Sequence, residues 1–145
     1  MRLPFLFAFY SERTTQDYSM NFNAVHHIAI IGTDYRKSRH FYVDLLGFKV
    51  IRENHREDRN DWKIDLACGD IEIELFIKED ASQRCSGPEN AGLRHLAFKV
   101  ESVDETVKEL NRLGIETEPV REDTFTHKKM TFFRDPDNLP LEIHE

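Results

Sequence analysis

The chain is written twice. His27-Ile28-Ala29-Ile30 recurs as His95-Leu96-Ala97-Phe98, and Ile73-Glu74-Leu75 recurs as Leu141-Glu142-Ile143. His27 and Glu74 stand 47 positions apart, and so do His95 and Glu142. Leu46-Gly47-Phe48 and Leu113-Gly114-Ile115 fall at nearly the same offset. With only seven histidines in the chain, two His–Glu pairs at one spacing are hard to ascribe to chance. Each copy then reads as one supersecondary unit, and an apolar face on one unit is buried by pairing it with the other.

Hydrophobic periodicity gives the same order of elements in both halves. The first half opens with a strand over 25–31. A helix over 35–46 follows, with Thr33 or Asp34 as its N-cap and Gly47 as its stop. Strands are expected over 48–53, 62–67 and 71–77, with Cys68-Gly69-Asp70 as the tight turn between the last two. The charged stretch 55–61 reads as a loop, and 81–92, with Ser86, Gly87, Pro88 and Asn90, as the linker. The second half opens with a strand over 93–100. Ser102-Val103-Asp104-Glu105 predicts a capping box, with the glutamate reaching back to the cap. The helix behind it carries Val103, Val107, Leu110 and Leu113 on one face and stops at Gly114. Strands follow over 116–121, 129–134 and 141–144, and Asp135-Pro136-Asp137-Asn138 forms a turn. The expected architecture is α+β: two βαβββ modules, 24–80 and 92–145, in a single domain spanning 20–145. Residues 1–19 stay outside it. The apolar run Leu3–Tyr10 lacks a small-x-small cleavage pattern and meets Ser11, Glu12 and Arg13 at once. It reads as an N-terminal extension or a start-site artefact.

Composition removes several function classes. The net charge is -7 with no basic block, which argues against a nucleic-acid surface. Two cysteines, Cys68 and Cys85, make neither a disulfide framework nor a CxxC zinc pair, and fit a reducing cytoplasm. No apolar run approaches the roughly 20 residues of a membrane helix.

Strand alternation locates the chemistry. Ile71, Ile73, Leu75 and Ile77 share one face, and Glu72, Glu74 and Phe76 the other. His95 lies opposite Leu96, Phe98 and Val100, and Glu142 opposite Leu141 and Ile143. His27, Glu74, His95 and Glu142 are therefore candidate ligands of one divalent metal on a concave face, with Ala29 and Ala97 leaving room beside them. Two imidazoles and two carboxylates suit nickel or zinc, and also cobalt, manganese or iron. Four protein ligands leave two adjacent octahedral positions for a chelating substrate. His26 competes with His27 and is expected to point to the opposite side. His40, His55, His127 and His144 read as surface residues, with substrate contact a lesser reading for His127. Trp62 and Phe76 read as packing, and Cys68 as an ordinary small residue.

The run His27-Ile28-Ala29-Ile30, Asp34, Phe41-Tyr42, Leu45-Leu46-Gly47-Phe48, with the ending Phe132-Phe133-Arg134-Asp135-Pro136-Asp137-Asn138 and Leu141-Glu142, resembles glyoxalase I and its vicinal oxygen chelate relatives. The resemblance covers nearly everything from Ala24 to Glu145. It implies an open eight-stranded half-barrel around one metal, and a homodimer, since in glyoxalase I the two modules that enclose a site often come from different subunits; a site within one chain and a site shared across the dimer both stay open. Glyoxalase I-like proteins carry His, Glu, His, Glu, which this chain matches at His27, Glu74, His95 and Glu142. Fosfomycin-modifying and bleomycin-binding relatives lack that full set. The implied activity is that of a lactoylglutathione lyase-like isomerase acting on a vicinal-oxygen substrate such as a methylglyoxal–thiol hemithioacetal. A proton leaves the carbon beside a carbonyl, the enediolate is metal-stabilised, and Glu142 or Glu74 carries the proton. Glutathione or another thiol adduct is the implied partner. Two departures stand out. No clear set holds glutathione's carboxylates, the candidates being Arg52, Arg56, Arg59, Arg94, Lys128 and Lys129. Asn138 replaces the family's common glycine, and both residues tolerate a left-handed turn. The alternatives are a small-molecule-binding or resistance protein, an epimerase, or a dioxygenase on the same frame.

Overall fold

In the computed structural model, residues 20–145 are described, and the extension expected over 1–19 lies outside them. Strand β1 (His27–Gly32), helix α1 (Tyr35–Arg39) and strands β2 (Lys49–Arg56), β3 (Asp61–Cys68) and β4 (Ile71–Ile77) build one unit. Strand β5 (Leu96–Lys99), helix α2 (Val103–Arg112) and strands β6 (Arg121–Glu122), β7 (Lys129–Arg134) and β8 (Pro140–His144) build the other. The two four-stranded sheets have the same order, β1-β4-β3-β2 and β5-β8-β7-β6. β1 runs parallel to β4 and β5 parallel to β8, while the remaining pairs are antiparallel. These are the paired βαβββ modules of the expected α+β class, and β1 and β5 are both edge strands.

Apolar alternation sets the core. Ile64, Leu66, Ile73, Leu75 and Ile77 are buried from the first sheet, and Phe133, Leu141 and Ile143 from the second. Phe41 and Tyr42 join them from the first helix, and Val103 and Leu110 from α2. The first helix also meets the second module. Phe41 and Phe133 rings lie 6.3 Å apart, and Phe48 and Phe98 rings 5.6 Å apart. The Tyr42 hydroxyl donates to Asp135 at 2.8 Å, and the Thr33 N–H to Asp137 at 3.0 Å. Burial pushes the Asp135 carboxyl above its ordinary value, and burial beside Asp135 pushes the Tyr42 hydroxyl the same way.

Several expected boundaries move, each for a local reason. The helix over 35–46 is α-helical only to Arg39 and continues as a π-helical stretch over His40–Leu45, where Leu46 N–H reaches the Phe41 carbonyl. Asp34, not Thr33, caps it by accepting from Lys37 N–H at 2.9 Å. Ser102 accepts from Glu105 N–H at 3.3 Å, but the Glu105 carboxylate pairs with Lys108 rather than reaching back. The loop over 55–61 shrinks, because Arg56 and Asp61 form a bidentate ion pair across the hairpin and extend both strands. The strand over 116–121 reduces to a Thr117–Phe133 bridge and the short β6, since Pro119 has no N–H to give the ladder. β5 begins at Leu96, because His95 falls opposite Pro140, which likewise lacks a donor. Asn138 adopts φ 68°, the left-handed turn its replacement of glycine requires. No helix among the described residues is long and apolar enough to cross a membrane.

Candidate metal centre

The β1–β4 register places the small side chain of Ala29 beside Glu74. His27 Nε2 stands 3.7 Å from Glu74 Oε2. The second module repeats this, with Ala97 beside Glu142 and His95 Nε2 2.9 Å from Glu142 Oε2. Phe132 lies opposite Glu142 on β7 and sets its ring edge-on to His95 at 5.2 Å. Glu142 is 6% exposed. Donors bound at about 2.1 Å to a six-coordinate ion sit roughly 3 Å apart when adjacent and about 4 Å when opposite. Both pairs fall within that span, so each fits as half of a divalent metal site.

One chain does not gather the four. Among the described residues, the only three ligand-type groups lying within 4.8 Å of one another are Asp65, Glu72 and Glu74. Cations already fill that acidic trio. Arg52 donates to Asp65 at 2.7 Å and to Glu72 at 2.5 Å, and Lys63 Nζ lies 2.7 Å from both Asp65 and Glu74. Burial opposes the Asp65 charge, yet hydrogen bonds from Lys63 and Arg52 outweigh it and hold the carboxyl below its ordinary value. Burial likewise opposes the Lys63 charge, and its bonds to Asp65 and Glu74 win and raise it. Lys63 and Asp65 were not among the expected site residues. Strand alternation applied to β3 puts both on the Glu74 face, and that signal is in the sequence.

His26 does not point to the opposite side. Its Nδ1 lies 2.8 Å from His27 Nδ1 with the rings at 87°, both on the exposed end of β1. When His27 is the donor of that bond, its Nε2 is left bare toward Glu74. His40 pairs with Asp44, His55 packs against Trp62 with the rings tilted, and His127 pairs with Glu122. His144 is half-buried two residues beyond Glu142, rather than on the open surface. Trp62 packs against Tyr35, and Phe76 lies under Arg56 and Lys63. Burial pushes the Cys68 thiol up, away from nucleophilic chemistry. Of the cations considered for substrate carboxylates, Arg52, Arg56, Arg94 and Lys129 are bonded to Asp65, Asp61, Glu89 and Asp104. Arg59 stands 3.7 Å from Asp58, and Lys128 is exposed in the turn before β7.

The family model for the Glyoxalase/Bleomycin resistance protein/Dioxygenase superfamily matches residues 24–143. The chain is 55% identical over 127 residues to the uncharacterized protein YwkD of Bacillus subtilis (strain 168), covering 87% of this chain and 99% of that one. It is 51% identical over 122 residues to the uncharacterized protein YaeR of Escherichia coli (strain K12), covering 83% and 95%. The crystal structure of a glyoxalase family protein from Enterococcus faecalis superposes with TM-score 0.83 at 56% identity, covering 87% of this chain and all of that one. At 21% identity, a lactoylglutathione lyase from Agrobacterium tumefaciens (TM-score 0.65) covers 85% of this chain and 93% of its own. Also at 21%, a point mutant of the fosfomycin resistance protein FosX from Listeria monocytogenes, complexed with Mn(II) and 1S,2S-dihydroxypropylphosphonic acid (TM-score 0.67), covers 86% of this chain and 93% of its own. These two share the fold.

Proposed function

The chain belongs to the Glyoxalase/Bleomycin resistance protein/Dioxygenase superfamily, and on that premise we propose that it is a metal-dependent lyase or isomerase of the glyoxalase I type. The observation that carries this reading is the pair of equivalent half-sites, His27–Glu74 and His95–Glu142, each beside an edge strand. His27, Glu74, His95 and Glu142 would together hold one divalent ion, nickel or zinc in the first instance. Two chains supply them. β1 of one chain set beside β5 of a second brings His27 and Glu74 to the partner's His95 and Glu142, and the homodimer holds two such sites. Val25 and Leu93 are equivalent in the repeat, lie just ahead of the two edge strands and are 57% and 52% exposed. A contact between edge strands covers that apolar surface.

An ion held there would supply Lewis-acid stabilisation of negative charge developing on the substrate. The chain's own side chains do the rest. Ala29 and Ala97 leave space for the substrate, and Phe76 and Phe132 wall it. Glu142 takes the proton from the carbon beside the carbonyl and returns it to the neighbouring carbon. Glu74 is the other candidate for that step, but its bond to Lys63 restrains it as a ligand. The substrate is a small vicinal-oxygen molecule such as a methylglyoxal–thiol hemithioacetal. The internal pairing of Arg52, Arg56, Arg94 and Lys129 favours a second reading of the substrate: a thiol adduct or oxygenated molecule with fewer carboxylates than glutathione.

Elemental analysis of protein purified without added metal tests the proposal, comparing wild type with Glu74→Gln and Glu142→Gln. An isomerase assay on the glutathione–methylglyoxal hemithioacetal accompanies it. The expected result is one ion per chain in wild type, lost or weakened in both variants. Turnover should fall by about 10²–10⁴ in Glu142→Gln reloaded with metal. Metal without turnover moves the search to other vicinal-oxygen substrates, including those of epimerases and dioxygenases. No metal under any loading sinks the site and leaves a small-molecule-binding protein.

A further inference from the structure

We infer that Lys63 is a positioning residue of the metal centre: its ammonium occupies one oxygen of Glu74 and presents the other to the ion as a single fixed donor. The inference rests on the metal reading above and adds a residue to it. The two oxygens of Glu74 are already divided. Oε1 accepts from Lys63 Nζ at 2.7 Å, while Oε2 is the oxygen facing His27 Nε2 at 3.7 Å. A carboxylate so held offers one lone-pair direction to an ion rather than two.

Lys63 cannot easily leave. Its Nζ also donates to Asp65 Oδ1 at 2.7 Å, and the other Asp65 oxygen accepts from Arg52 Nε at 2.7 Å. Arg52 in turn reaches Glu72. Asp65 is 2% exposed, so this row of charges is anchored at a buried carboxylate. The anchor also answers an electrostatic objection. An ammonium next to a divalent cation repels it, but Lys63 with Asp65 makes a neutral pair. The pair adds a hydrogen-bond donor to the site without adding net charge.

The repeat supplies an internal control. Asp65 stands opposite Glu74, and Lys63 opposite Phe76. The matching positions of the second module are Phe132, opposite Glu142, and Met130, opposite His144. Neither side chain can donate a hydrogen bond to Glu142. One register is thus built ionic beside one glutamate and apolar beside the other, so only Glu74 is clamped.

The test titrates full-length, metal-stripped protein with Mn²⁺ and Co²⁺ by calorimetry and follows the visible absorption of the Co²⁺ form. Loss of an outer partner of a metal ligand typically weakens binding about 10- to 100-fold, the loss expected for Lys63→Met. The Co²⁺ spectrum should change as the released Glu74 oxygen alters coordination, and Lys63→Arg, which keeps charged donors, should recover much of both. Lys63→Gln carries the comparison should the Met variant fail to fold. Wild-type affinity and spectrum in the folded Met or Gln variant, or tighter binding there, overturns the positioning role and leaves the metal reading standing. A wild-type protein that binds neither ion overturns both.

Discussion

Gly32 closes β1 where Ser38 of the following helix packs directly onto its backbone. A Cβ at Gly32 would run into Ser38 Oγ and lie 3.2 Å from Ile77 Cδ1. Ser38 is 1% exposed, and its hydroxyl has no hydrogen-bond partner among the described residues. The contact is therefore steric, and overpacking sets the cost of filling it. Gly32→Ala should lose about 1–3 kcal/mol of stability, read from urea unfolding midpoints. Ser38→Ala removes the closest atom and an unsatisfied buried oxygen, so it should restore part of that loss. Equal stability of Gly32→Ala and wild type would mean that the turn gives way without strain. The candidate ligands were legible at this scale because repetition marked His27, Glu74, His95 and Glu142. Lys63 and His26 occur in one copy only. No repeat flags them, and only the register on β3 and the ring contact at β1 reveal what they touch.

The β2–β3 hairpin shows what a charged element requires. Asp61 accepts from Arg56 at 2.6 Å and from Lys78 at 2.7 Å, and these two cations hold its carboxyl well below the ordinary carboxylate value. A depressed folded-state pKa contributes stability above the unfolded value of about 4, and that contribution is lost as pH falls through the folded value. Asp61→Asn should be less stable than wild type at pH 7, and its stability should fall less steeply below about pH 4. Denaturant midpoints measured from neutral pH downward decide it, and parallel slopes for the two proteins would count against the pairing. The same residues explain the misread loop. Read singly, Arg56 and Asp61 look like solvated charges, and only the strand register makes them a pair. Strands built on apolar alternation, such as β4, were legible in full. β6 was not, because Pro119 interrupts a run whose side-chain pattern still looks continuous.

At the scale of the molecule, the repeat announced two modules but not how they meet. Within the chain they join through the first helix and the turn before it, by Tyr42 to Asp135, Thr33 to Asp137 and Phe41 to Phe133. Spacing says which residues are equivalent, and it is silent on which copy of the chain each will face. That separation of the two His–Glu pairs has a genetic consequence. If each chain carries halves of two different sites, two defective alleles can repair one another. In a mixed dimer of Glu74→Gln and Glu142→Gln chains, one site receives both substitutions and the other receives none. Random assembly of equal amounts should return about a quarter of wild-type activity and metal content from two inactive parents. A site confined to one chain would leave the mixture as inactive as its components.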